Sequence, residues 1–161
     1  STMTPMTAEA SCAQTGADYL ARAALRCKDQ GVQLTPIRRD VLALLLEHDN
    51  GLKAYDLLAR IKTLRSNATP PTVYRALDFL IEQGLVHKIE RLNQFVACRH
   101  ESHQLPGLFL VCTGCGSVSE LHDHGLIDTV QQQLARVGHR FDCQEIELAT
   151  RCPDCQAKHA T

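Results

Sequence analysis

The stretch TPPTVYRALDFLIEQGLVHKI, Thr69 to Ile89, decides the fold. Thr69 before Pro70 and Pro71 marks a helix start, because threonine suits the N-cap and proline suits the first turn, where its missing N–H costs no intrahelical bond. Val73, Ala76, Leu77, Leu80 and Ile81 then recur at the spacing that lays one apolar face along a helix, and Gly84 stops it. Leu85 to Ile89 follows at once as an apolar run of strand length. Gln94 to Cys98 repeats such a run across a turn at Arg91 to Asn93. A helix that leads straight into a hairpin is the decisive half of a winged helix-turn-helix.

The residues upstream supply the other half. Residues 17 to 30 place Leu20, Ala23, Ala24 and Cys27 at helical spacing and stop at Gly31. Thr35-Pro36 repeats the cap-and-proline start, with Ile37, Val41, Leu44 and Leu45 as one stripe before the break at Asn50-Gly51. A third helix carries Leu57, Leu58, Ile61 and Leu64, with Tyr55 near its start. Short helices in close succession before a hairpin make the fourth helix the DNA reader, and Thr72 and Arg75 fall opposite its apolar face, near the end a recognition helix presents to base edges. Arg75 has the fork that pairs with guanine, a contact worth about 1–3 kcal/mol of discrimination. Tyr55, Arg38, Arg39 and Lys53, with Arg60 and Lys62, are candidates for phosphate or groove-wall contact.

Downstream, the chemistry changes. Cys112/Cys115 and Cys152/Cys155 form two Cys-x-x-C pairs, and four thiols so paired can close a tetrahedral zinc site about 2.3 Å from each sulfur. The pairs lie further apart than the roughly 15–20 residues of a compact zinc ribbon, so the metal must clamp the ends of a larger unit. Between them, Leu108 to Val111 and Ser117 to Leu121 read as short strands. Leu126, Val130, Leu134 and Val137 trace one side of a helix before Gly138, and a further strand runs from about Cys143 to Ala149. Cys12 in the polar tail, and Cys27 and Cys143 on apolar faces, read as ordinary thiols.

The 161 residues suffice for one domain or two small ones. Residues 1 to 99 hold 13 of the 17 Lys and Arg against 10 acids, whereas residues 100 to 161 hold 4 against 8, so the net charge of −1 conceals a basic half and an acidic one. Seven of the eight His and six of the eight Cys lie from His87 onward. No apolar run approaches the roughly 20 residues of a membrane span, and the first residues carry neither a basic start nor an apolar signal core, so the chain is expected to act in the cytoplasm. There, eight cysteines point to metal ligands and buried thiols rather than disulfides. A zinc hydrolase such as a base deaminase would need His-x-Glu before Pro-Cys-x-x-Cys. No His-x-Glu occurs, and proline lies inside the second pair at Pro153, so no enzyme is expected.

Taken together, Thr69 to Leu80, Gly84 to Lys88, Leu34-Thr35-Pro36-x-Arg38, Ala54-Tyr55-Asp56-Leu57-Leu58 and Cys112-Thr113-Gly114-Cys115-Gly116 resemble the ferric uptake regulator superfamily, and its zinc uptake regulator branch most closely. The resemblance covers about residues 17 to 155. It implies an α+β fold: a flexible tail (1–16), an N-terminal winged helix-turn-helix (17–90), a hinge (91–105) and a small α/β dimerisation domain (106–157) stapled by the four-cysteine zinc site. It also implies a zinc-responsive regulator whose metal-loaded homodimer binds a pseudo-palindromic double-stranded operator and represses zinc-uptake genes. Glu120, five residues after Cys115, matches a ligand of that family's regulatory site, and His87, Cys98 and His103 fill its other places, giving two zinc ions per subunit. His100, three residues before His103, competes for the third place. The soft Cys98 sulfur argues for zinc over the iron or peroxide sensors of the superfamily. His122, His124 and His139, with Asp123, read as surface side chains near a helix start rather than a third site.

Overall fold

The computed structural model describes residues 16–98, 105–121 and 123–158. Four helices come first: α1 (Gly16–Asp29), α2 (Pro36–Leu46), α3 (Ala54–Leu64) and α4 (Pro70–Glu82). Their apolar stripes converge on one core, in which Val41, Leu42, Leu45, Leu57, Ile61, Val73, Leu77 and Leu80 are buried to 1% exposure or less. Each such side chain contributes roughly 1.5–3 kcal/mol by leaving water. Helix α4 ends as its sequence requires: Gly84 takes φ 72°, and the N–H of Leu85 donates to the carbonyl of Leu80 at 2.8 Å, turning Leu85 back into the core.

The helix starts differ from expectation in one respect. Thr35 and Thr69 occupy the N-cap positions with extended backbone, but neither hydroxyl makes a capping bond. At α4 the second proline, Pro71, removes the N–H at the second helical position, and the Thr69 hydroxyl lies instead 2.8 Å from that of Thr72.

The wing is a three-stranded sheet rather than a simple hairpin. β2 (Val86–Ile89) and β3 (Gln94–Ala97) pair antiparallel, and β1 (Leu52–Lys53) adds to the far edge of β3, opposite Phe95 and Gln94. β3 falls within the stretch assigned above to the hinge, yet pairing on both edges makes it the central strand of this sheet. The approach of β1 depends on Gly51, whose φ is 80° and where a Cβ would come within 2.4 Å of the Phe95 carbonyl oxygen.

A second three-stranded sheet has the order β5-β4-β6, from β4 (Gly107–Cys112), β5 (Val118–Leu121) and β6 (Glu145–Thr150). β4 and β5 are antiparallel. β6 returns parallel to β4 after the crossover helix α5 (His124–Arg136), whose start is capped by the Asp123 carboxylate accepting from the Leu126 N–H at 3.0 Å. Because Phe109 lies opposite both Glu120 and Glu147, and Gly107 opposite Glu145, the alternation of strand side chains puts Phe109, Val111, Val118, Glu120, Glu145 and Glu147 on one face. That face meets the wing. Ile89 and Val96 pack on Phe109, Val111 and Val118 to form a second, smaller core. The opposite face and α5 leave Leu121, Leu126, Val130 and Leu148 exposed by 38–43%. The short α6 (Pro153–Lys158) closes the described chain.

Candidate metal centres and nucleic-acid interface

The parallel pairing of β4 with β6 runs as far as Cys112 opposite Thr150, so the two Cys-x-x-C turns leave neighbouring strands at the same end of the sheet. The result is a cluster: the sulfurs of Cys112, Cys115, Cys152 and Cys155 all lie within 4.8 Å of one another. Cys115 and Cys152 are 3.8 Å apart, and a tetrahedron with its centre about 2.3 Å from each sulfur has edges of about 3.8 Å. Local structure serves this packing. A Cβ on Gly114 would lie 2.8 Å from the Cys155 sulfur, so only glycine lets the first turn wrap so closely. Helix α6 begins between Cys152 and Cys155, and the Gln156 N–H donating to the Cys152 carbonyl sets the turn that brings Cys155 back.

The four thiols perturb one another's titration in opposite directions. The N–H of Cys152 donates to the Cys112 sulfur at 3.3 Å, as does that of Gly114, and such donors hold the Cys112 thiol down to about 5. Cys155 is pushed up to about 12 by its contacts with Cys152 and Cys112, since neighbouring thiolates resist a further negative charge. A divalent ion with thiolate affinity removes that conflict, and the donor set fits zinc.

The second candidate site lies between the sheets. His87 on β2, Cys98 at the end of β3 and Glu120 on β5 line one cleft of about 460 Å³, together with the end of α4 and Arg140, Phe141, Cys143 and Gln144. Among the described residues only the four thiols approach within 4.8 Å as a set, so His87, Cys98 and Glu120 share a cleft without closing to ligand distance. His103 and His100 fall outside the described residues, as do Cys12, His122 and the side chain of His124. His139 is exposed beyond the end of α5 and joins no such group among the described residues. Cys27 is buried against the helical core, as expected, but Cys143 is exposed at the cleft rim rather than on an apolar face, because β6 starts only at Glu145.

His87 is only 5% exposed and is the one buried polar side chain among the described residues. Its Nδ1 lies 2.8 Å from Oε1 of Glu145, and its ring centroid is 5.2 Å from that of Phe109. Burial alone disfavours the imidazolium, but hydrogen bonds to Cys98 and Glu145 outweigh it and raise the pKa to about 9. Glu147, two residues along the same strand, accepts from the N–H groups of Glu90 and Arg91 at 3.1 and 3.2 Å. Neither carboxylate stood out in the sequence. The available signal was their alternation with Ile146 and Leu148, which places both acids on one strand face.

Helix α4 leaves Thr72, Tyr74, Arg75 and Asp78 exposed, while Val73, Ala76, Leu77 and Leu80 are buried in the core. Tyr55 is 82% exposed, and Arg39, Lys53, Arg60 and Lys62 are exposed beside it in sequence. Arg38 is engaged differently. Its guanidinium lies 3.7 Å over the Phe79 ring and donates to the Gln33 carbonyl at 2.7 Å, which joins α2 to α4.

The sequence matches the Ferric uptake regulator family over residues 29–150. It is 38% identical over 139 residues to the Zinc uptake regulation protein of Escherichia coli (strain K12), covering 86% of this chain and 81% of that protein. To the Peroxide operon regulator of Bacillus subtilis (strain 168) it is 27% identical over 132 residues, covering 81% and 89%. Among solved structures, a zinc uptake regulator complexed with zinc and DNA superposes with a TM-score of 0.78 at 37% identity, covering 91% of this chain and 99% of that one.

Proposed function

From the premise that this chain belongs to the ferric uptake regulator family, we propose that it is a zinc-responsive transcriptional regulator whose zinc-loaded homodimer binds operator DNA and represses zinc-uptake genes. The observation that carries this reading is the placement of His87, Cys98 and Glu120. One belongs to the wing, one to the chain leaving it and one to the second sheet, yet all three line a single cleft.

Two zinc ions per subunit fit the donors. Cys112, Cys115, Cys152 and Cys155 hold the structural ion in a closed four-sulfur shell that leaves no open position for catalysis, which agrees with a regulator and not an enzyme. His87, Cys98, His103 and Glu120 hold the regulatory ion, and Cys98 tilts the set toward zinc over oxygen-seeking metals. A zinc ion held by these side chains would link the wing, which carries His87, to the second sheet, which carries Glu120. His87 then carries the position of α4 with it, because β2 follows α4 after three residues.

The homodimer follows from the apolar face that α5 and the second sheet leave exposed, including Leu121, Leu126, Val130 and Leu148. Two copies joined there present two recognition helices. Successive major-groove half-sites lie about 34–36 Å apart, a spacing that a pivoting wing samples rarely and a fixed one holds. Arg75 and Thr72 read bases, while Tyr55, Arg39 and Lys53 contact the backbone; Arg38 supports α4 from within as much as it faces DNA. The helices are all too short or too polar to cross a membrane among the described residues, and the cytoplasm is the proposed place of action. Gel-shift titration of a pseudo-palindromic operator, with and without free zinc, tests the reading. Tight binding that is indifferent to zinc would refute it.

A further inference from the structure

A carboxylate that the expected ligand set does not use touches one of the residues that line the cleft. Glu145 reaches from β6 across to β2, and its side chain is 20% exposed against 7% for His87. The His87 ring is bounded by three groups: Glu145 at Nδ1, the Cys98 thiol within hydrogen-bonding reach, and the Phe109 ring packed on its side. Two residues on, Glu147 grips the backbone N–H groups of Glu90 and Arg91 at the turn after β2. The strand that carries Glu145 is therefore held against the wing at two points, and the ring it touches has little freedom to rotate.

We propose that Glu145 is a positioning residue of the mixed-ligand site: it engages His87 through Nδ1–H, leaves Nε2 as the nitrogen that faces a metal, and holds that orientation before metal arrives. The inference rests on the reading of His87 as a regulatory ligand. A histidine that ligates through one nitrogen commonly donates its other N–H to a carboxylate, which fixes the ring and makes the ligating nitrogen a better donor. Glu145 meets the requirements for that role. It lies against Nδ1 at 2.8 Å, its side chain is 20% exposed, and it is anchored to a different sheet from its histidine. In this arrangement Glu145 tunes the zinc concentration at which the protein responds, without belonging to the coordination shell.

The test uses the full chain with its four-sulfur zinc retained, comparing wild type with Glu145→Ala, Glu145→Gln and His87→Ala. Zinc affinity of the second site is read by competition with a chromophoric chelator, and the His87 ring by ¹⁵N NMR of the zinc-loaded protein. Glu145→Ala is expected to weaken that zinc about ten- to a hundredfold and to lose the slowly exchanging Nδ1–H signal. Glu145→Gln, which keeps an acceptor oxygen, should restore most of both. Unchanged affinity with an unchanged ring signal in Glu145→Ala would overturn the proposal, and so would tighter binding, which would make Glu145 a competitor for His87. A Co²⁺ absorption spectrum that changes coordination in Glu145→Gln would put the carboxylate on the metal and likewise overturn the positioning role. His87→Ala separates the two levels: loss of the second metal with no effect of Glu145→Ala defeats this inference alone, whereas retention of the metal defeats the reading beneath it as well.

Discussion

The four-sulfur cluster and the mixed His87 cleft both gather metal-ligating side chains but are organised in opposite ways. Cys112, Cys115, Cys152 and Cys155 hang from one end of one sheet, and their sulfurs gather within 4.8 Å of one another. His87, Cys98 and Glu120 come from two sheets and line one cleft, where His87 and Cys98 lie within hydrogen-bonding reach of one another. A site whose ligands share a scaffold makes metal part of the fold. A site whose ligands span two scaffolds makes metal a report on their relative position.

The sharpest way to break this contrast is Cys112→Ser. It should remove the structural zinc, melt the second sheet and its dimer face, and cost several kcal/mol or the fold outright, as thermal melting with zinc analysis reads. A variant that keeps both its melting temperature and its zinc content would erase the distinction. At the cleft, His87→Ala or Cys98→Ser should leave a folded dimer with one zinc per chain, while operator affinity in excess zinc drops by about a hundredfold or more to its metal-free level. If either variant unfolded like Cys112→Ser, the two sites would be one structural system. Arg75→Ala should touch neither metal and lose about 1–3 kcal/mol of preference for operator over random duplex; equal losses on both would move Arg75 from base to backbone contact.

The smallest effect sharpens the contrast through pH. The folded pKa of His87, about 9, lies above its ordinary 6.5, so its stabilisation of the metal-free protein is fully present below about pH 6.5 and is lost as pH rises through about 9. Zinc uptake at the cleft should run the other way, strengthening over that range as His87 gives up its proton. Chemical denaturation of the protein lacking only the regulatory zinc, from pH 6.5 to 9.5, should show the stability falling. A flat profile, or one that His87→Ala leaves unaltered, would contradict the assignment.

The first half of the fold was legible because its signals are local. Proline starts, glycine stops and apolar periodicity located α1 and the starts of α2 and α4 within a residue, and placed α3 by its apolar stripe. The two-residue β1 has no period to detect, and it exists only because Gly51 lets the chain lie against Phe95. Helix α6, six residues long, starts inside a Cys-x-x-C motif, where spacing spoke of metal and not of helix. At the metal centres, Cys-x-x-C spacing identified the cluster directly, whereas His87, Cys98 and Glu120 came from family likeness and Glu145 was missed. A carboxylate alternating along a strand reads as a solvated face, and its partner lies 58 residues away in sequence. Contacts at that distance leave no local trace.

The parallel pairing of β4 with β6 has a further consequence. Sliding β6 by one residue would turn Glu145 and Glu147 to the far face and bring Ile146 and Leu148 against the wing, since strand side chains alternate. Such a slide would also carry Cys152 and Cys155 out of step with Cys112 and Cys115. A zinc ion closing the four-sulfur site would thus work as an alignment pin: it would index a strand whose other end presents a carboxylate to His87, and so calibrate the proposed second site.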